Sequence, residues 1–144
     1  MKIKQLSVFM ENKPGRLREL CTLLAEGGIN ILTASLADTE QFGILRLIVK
    51  DWQDAKRILE GANCVVKTTD VLAVEVPDRP AGLAEVLMIL DEAGMNIEYM
   101  YAFTFRRQDK AVIVFRLKAL DQAIETLTRR GVALVDSATL YAKG

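Results

Sequence analysis

PGRLRELCTLLAEGGINI, residues 14–31, returns as PAGLAEVLMILDEAGMNI, residues 80–97. A shift of 66 positions lays Pro14 on Pro80, Leu17 on Leu83, Glu19 on Glu85 and Leu24 on Leu90. The same shift lays Glu26 on Glu92, Gly28 on Gly94, Asn30 on Asn96 and Ile31 on Ile97, and brings Val8 onto Val74. Farther along the shift becomes 68, pairing Lys50 with Lys118, Ala55 with Ala123 and Leu59 with Leu127. The two extra residues therefore fall between 38 and 43 in the first copy and between 104 and 111 in the second. A hairpin tip exposed to water takes such an insertion at least cost. Two copies imply two similar domains, over residues 1–69 and 70–144, and any site built from the repeated residues should come as a pair.

Ile3, Leu6, Val8 and Met10 mark a strand over residues 2–10. The turn Asn12-Lys13-Pro14-Gly15 then delivers a proline to the first helical position, where its missing N–H is harmless. Leu17, Leu20, Cys21 and Leu24 recur at i, i+3, i+4 and i+7, one apolar stripe of a helix, and Gly27-Gly28 ends it in a left-handed cap. Strands over 31–38 and 43–50, a helix over 51–60 and a strand over 64–69 complete the copy. The second copy predicts a strand over 71–77, a helix over 81–93, strands over 97–106 and 111–117, a helix over 120–130 and a strand over 132–141. The order βαββαβ predicts an α+β fold of two tandem ferredoxin-like units, each an antiparallel sheet with both helices on one face. With no Gly/Ser-rich linker, the last strand of the first copy should run through Thr68-Thr69-Asp70 into the first strand of the second. In 97–106, Ile97, Tyr99, Tyr101, Phe103 and Phe105 share one side of the strand. That stripe serves either as core under the helices or as an aromatic wall for a ligand or for the other domain.

Composition removes several functions. Of 144 residues, 51% are hydrophobic and 26% charged, which suits compact domains. The 19 basic and 19 acidic side chains leave a net charge of zero, so nothing favours nucleic acid, whose affinity rests on many phosphate contacts. Arg106-Arg107 and Arg129-Arg130 read as solvated surface. No apolar run approaches the roughly 20 residues that span a bilayer, and no signal peptide opens the chain. Cys21 and Cys64 lie in unlike contexts and read as small buried hydrophobes in a reducing, cytoplasmic setting. The absence of histidine removes His-based acid–base chemistry and most zinc sites, and no cofactor or metal is expected.

The repeated segment nonetheless carries chemistry. A strand ends, a Pro/Gly turn follows, and a helix opens with unpaired N–H groups that favour a carboxylate or phosphate. Gly15 lets a ligand approach the backbone. Asn12 offers an amide and Asp78, its counterpart, a carboxylate suited to an ammonium. Asn30 and Asn96 repeat unchanged at the entry to the second strand. Together these groups match a free α-amino acid, although proline before a helix and glycine or asparagine after it are also routine capping residues.

Asn12-Lys13-Pro14-Gly15-Arg16-Leu17 with Gly28-Ile29-Asn30-Ile31 resembles the signature of the ACT domain. Asp78-Arg79-Pro80-Ala81-Gly82-Leu83 with Gly94-Met95-Asn96-Ile97 resembles it again. The resemblance spans essentially the whole chain. It implies regulatory modules that bind amino acids between paired units, the strand–helix loop of one facing the start of strand two in a neighbour. By that implication Asn12, Gly15, Arg16 and Leu17, or Asp78, Ala81, Gly82 and Leu83, hold a ligand from one side. Asn30 and Ile31, or Asn96 and Ile97, close it from the other. Two departures matter. Ala81-Gly82 replaces Gly15-Arg16, which displaces the glycine and reshapes that site. Met10 stands where serine-regulated relatives place a histidine, which disfavours a serine-type contact and favours a more apolar ligand.

The implied function is a non-catalytic tandem sensor of amino acids, acting in trans on an enzyme or transporter, with no catalytic domain attached and with a homodimer as its assembly. The alternative is a ligand-free assembly module pairing through its sheets. A small enzyme on this topology would need a glycine-rich arginine and asparagine phosphate cradle, which the sequence lacks. An RNA-binding sheet would need exposed aromatics with basic neighbours, and the first copy offers only Ile31, Thr33, Ser35 and Ala37 there.

Overall fold

A computed structural model of the chain describes residues 1–39, 41–104, 106 and 108–142. In chain order its elements are β1 (Ile3–Met10), α1 (Arg16–Glu26), β2 (Ile31–Asp38), β3 (Gly43–Val49), α2 (Trp52–Gly61) and β4 (Val65–Pro77). There follow α3 (Gly82–Glu92), β5 (Tyr99–Ala102), β6 (Lys110–Arg116), α4 (Leu120–Arg129), β7 (Leu134–Val135) and α5 (Ser137–Tyr141). The contacts divide the chain into two compact units. One gathers Lys4–Thr69 and the chain from Tyr141 on; the other gathers Met1–Ile3 and Asp70–Leu140.

Strand order in the first unit is β2-β3-β1-β4, and in the second β5-β6-β4-β7. These are the same order once the repeat is applied. The ladders are antiparallel, with Val8 opposite Leu45, Ala34 opposite Leu47, Val74 opposite Ile113 and Tyr101 opposite Val114. This is the predicted α+β, ferredoxin-like architecture. As expected from the missing linker, β4 runs unbroken through Thr68-Thr69-Asp70 and serves both units.

Alternation along each strand puts one row beneath the helices. In the first unit Leu6, Val8 and Met10 of β1 pack with Leu45, Leu47 and Val49 of β3 under Leu20 and Leu24 of α1 and Ala55 and Leu59 of α2. In the second, Leu72, Val74 and Val76 of β4 and Phe115 of β6 pack under Val86, Leu90, Ala123 and Leu127. Burying such side chains contributes about 1.5–3 kcal/mol each. The opposite row of β1 is buried too: Gln5 donates its amide to Ser7 Oγ at 3.1 Å.

Four expectations need correction. Pro14 stands in the turn before α1, because Gly15 adopts a left-handed φ of 85° that no helical residue shares, and the helix opens only at Arg16. Strand 97–106 is reduced to Tyr99–Ala102, with Phe103 N–H still donating to Val112 O at 2.7 Å; Phe105 lies outside the described residues. Of its apolar row, Ile97 packs against the core under the helices, but Tyr99 and Tyr101 do not: Met100 stands opposite Phe115 of that core, so the two tyrosines point to the other face. Strand 132–141 keeps only Leu134–Val135, since the Asp136 carboxylate accepts from Thr139 N–H at 2.8 Å and starts α5 instead.

Candidate functional site

The loop between β1 and α1 is held by side chains the repeat singles out. Asn12 Nδ2 donates to Asp38 Oδ1 at 3.0 Å, tying the loop to the end of β2, and its Cβ and Cγ lie beside Gly43. Gly15 is the N-cap of α1 and no side chain caps that helix. A groove of about 390 Å³ lies over the first turn, lined by Lys13, Pro14, Gly15, Arg16, Arg18 and Glu19, among others. Leu17 is 37% exposed, although it belongs to the apolar stripe.

Arg16 turns back into its own unit. Its Nη2 donates to Ala62 O at 2.9 Å and to Cys64 Sγ at 3.5 Å, and its Nη1 lies 3.2 Å from Glu19 Oε1. The Cys64 thiol is pushed above its ordinary value of 9.0, chiefly by burial, with Arg16 opposing. Cys64 is buried as expected, whereas Cys21 is half-buried; both are free thiols.

The second copy builds the same loop with other partners. Asp78 pairs with Arg106 where Asn12 pairs with Asp38. Arg79 grips Glu85 of the first helical turn with contacts of 2.8 and 3.1 Å. Ala81 takes the left-handed position at φ 68°, and Gly82 is buried so tightly that an added Cβ would run into the Pro77 carbonyl. The departure noted in the sequence thus keeps the turn and moves the glycine to a contact. Leu83 is half-buried in the unit's core. Among the other arginines, Arg130 pairs with Glu92 at 2.9 Å and Arg129 with Glu125 at 3.8 Å, a solvated face; Arg107 lies outside the described residues.

Asn30 and Ile31 stand at the far end of α1, whose 11 residues span about 16 Å. Ile31 opens β2 opposite Val49. Asn30 and Asn96 are exposed, and neither side chain makes a hydrogen bond among the described residues. The helix ends are closed instead by Gly28 and Gly94, at φ 76° and 72°. Asn96 lines a groove of about 410 Å³ with Glu98 and Gln122, and a second of about 540 Å³ with Ile97, Leu87 and Met88. Each unit therefore brings its loop residues together at one end and its asparagine and isoleucine at the other. A small ligand cannot touch both sets within one unit. Asp38 and Arg106, which fix the loops, carry no signal in the sequence, since each lies at the edge of the stretch where the two copies differ in length.

A family model described as an ACT domain pair matches residues 1–142. The chain belongs to the ACT domain pair family. Over 90 residues, 62% of the chain, it is 31% identical to the acetolactate synthase small subunit of Buchnera aphidicola subsp. Baizongia pistaciae, and the match spans 57% of that subunit's length. A crystal structure of a protein from Bacteroides thetaiotaomicron superposes with a TM-score of 0.89 at 40% identity, covering 98% of this chain and 96% of that one. The regulatory subunit of aspartate kinase from Thermus thermophilus, in a ligand-free form, shares the fold: TM-score 0.63 at 15% identity, covering 90% of this chain and 93% of that one. Among the described residues of this ACT pair, no cluster of His, Cys, Asp and Glu could hold a metal, and no helix is long and apolar enough to cross a membrane.

Proposed function

We propose that this ACT pair is a non-catalytic regulatory protein that binds a free amino acid and acts in trans on an enzyme or transporter of amino-acid metabolism. The observation that carries the reading is the separation of the two residue sets. Asn12 and Gly15, or Asp78 and Ala81, lie at one end of a unit, and Asn30 and Ile31, or Asn96 and Ile97, at the other. A complete site then needs two units, which suits a homodimer and couples binding to assembly. The likeness to the small subunit of acetolactate synthase supports action on a partner enzyme. Free cysteines suit a reducing cytoplasm. Met10 is buried in the core, so the position that carries histidine in serine-regulated relatives offers a ligand nothing polar, and the ligand is a more apolar amino acid.

A thermal-shift panel of the twenty amino acids tests this. A ligand at about 100 times its Kd stabilises the folded state by roughly 2.7 kcal/mol and lifts the midpoint by several degrees. The shift is expected from one amino acid or a few related ones, and Asn12→Ala with Asn30→Ala should abolish first-site binding while leaving the fold intact. A flat panel would replace the sensor with a ligand-free assembly module. Unchanged affinity in the double variant would remove these residues from the site.

A further inference from the structure

The first copy carries a groove whose lining residues the second copy does not repeat. It has a volume of about 420 Å³, inside the range of about 300–1,000 Å³ usual for small-molecule sites. Phe9 at the end of β1, Val65 at the start of β4 and Phe42 at the β2–β3 turn give it apolar walls. Val65 is 62% exposed and Phe42 49%, so these walls are open to solvent. Two cations line it. Lys67 makes no ion pair among the described residues, and its ammonium rests 5.6 Å from the centre of the Phe9 ring. Arg16 commits three of its five N–H groups, to Ala62, Cys64 and Glu19, which leaves Nε–H and one Nη1–H for another acceptor. The carboxylate in the groove, Glu11, is already paired with Lys13 at 3.1 Å.

The repeat serves as an internal control. Phe9, Arg16, Val65 and Lys67 correspond to Glu75, Gly82, Ala133 and Val135. Both cations and the aromatic wall are lost together, and the tight approach of Gly82 to Pro77 leaves no room for a side chain there. A groove that served only the fold would keep its residues in both copies, as the helix stripes do.

We propose that this groove binds a small monocarboxylate with an aromatic or branched apolar body, its carboxylate held by Lys67 and Arg16 and its body against Phe9, Phe42 and Val65. The groove shares Arg16 with the loop set of the amino-acid site but uses neither Asn12 nor the asparagine and isoleucine at strand two, so the proposal stands or falls apart from that site. Titration of the full chain with 3-phenylpropionate and with 3-phenylpropionamide, followed by amide chemical shifts, tests it. The acid should shift Phe9, Phe42, Val65 and Lys67, and the amide should not. Lys67→Met, an exposed substitution that spares the core, should weaken the acid about tenfold or more, as loss of a charge-assisted hydrogen bond does. Asn30→Ala should leave the affinity unchanged. Equal binding of acid and amide, an unchanged affinity in Lys67→Met, or shifts confined to other residues would each overturn the proposal.

Discussion

Ala81 holds φ at 68° where Gly15 holds 85°, and an L side chain in that region costs about 1–2 kcal/mol. Ala81→Gly should therefore stabilise the protein by about 0.5–1 kcal/mol, after the added freedom of glycine in the unfolded chain is subtracted. The neighbouring Gly82→Ala should destabilise it by about 3 kcal/mol, because the new methyl meets backbone rather than a side chain that can swing away. Urea unfolding of both variants measures the two signs. Ionisation adds a second residue-scale expectation. Burial raises Cys64 above 9.0 and Tyr141 above 10.0, so in each case the unfolded chain releases its proton first as pH rises. Stability is then whole below about pH 9 and falls from there upward, first through Cys64 and then through Tyr141. Unfolding midpoints across pH 8 to about 11 should decline, and Cys64→Ala should flatten the earlier part of the decline; a midpoint constant through that range would contradict the burial of both groups.

At the scale of elements, the repeat made most of the fold legible, because the helices carry their stripes and their glycine stops twice. Leu20 and Leu24, with Val86 and Leu90, are the buried members in both copies. The left-handed Asn63 and Gly131 fall at matching places after α2 and α4, where Cys64 N–H and Val132 N–H reach back to Leu59 O and Leu127 O at 3.1 and 2.9 Å. What misled was apolar alternation taken alone. Residues 132–141 alternate well enough for a strand, but Asp136-Ser137-Ala138-Thr139 is a helix-opening sequence, and a local cap displaces the ladder after two pairs, Ala73 with Val135 and Val74 with Leu134. The site was legible as residue types and not as partners. Asn12 and Asp78 were picked out by position, whereas their ties to Asp38 and Arg106 need the strand-end geometry that only folding supplies. The link of Arg16 to Ala62 crosses 46 positions of sequence and leaves no local pattern.

For the whole molecule, the separation of the two residue sets has a thermodynamic consequence. If a second copy of the chain supplies the completing end, unfolding releases two chains, and the midpoint must rise with protein concentration. A chain of 144 residues has an unfolding enthalpy of about 100 kcal/mol and a dimer of two about 200 kcal/mol, so a hundredfold increase in concentration should raise Tm by roughly 5 °C. If the second unit of the same chain supplies that end, Tm stays flat with concentration while the ligand shift persists. The proposed homodimer predicts the first outcome, and sedimentation velocity across the same range should show one species of twice the chain mass at the upper end. Adding the amino acid identified by the panel should then move the monomer–dimer midpoint to lower protein concentration, since a ligand bound only by paired ends favours pairing to the extent that it binds them. A ligand that raises Tm without moving that midpoint would place the complete site inside a single chain.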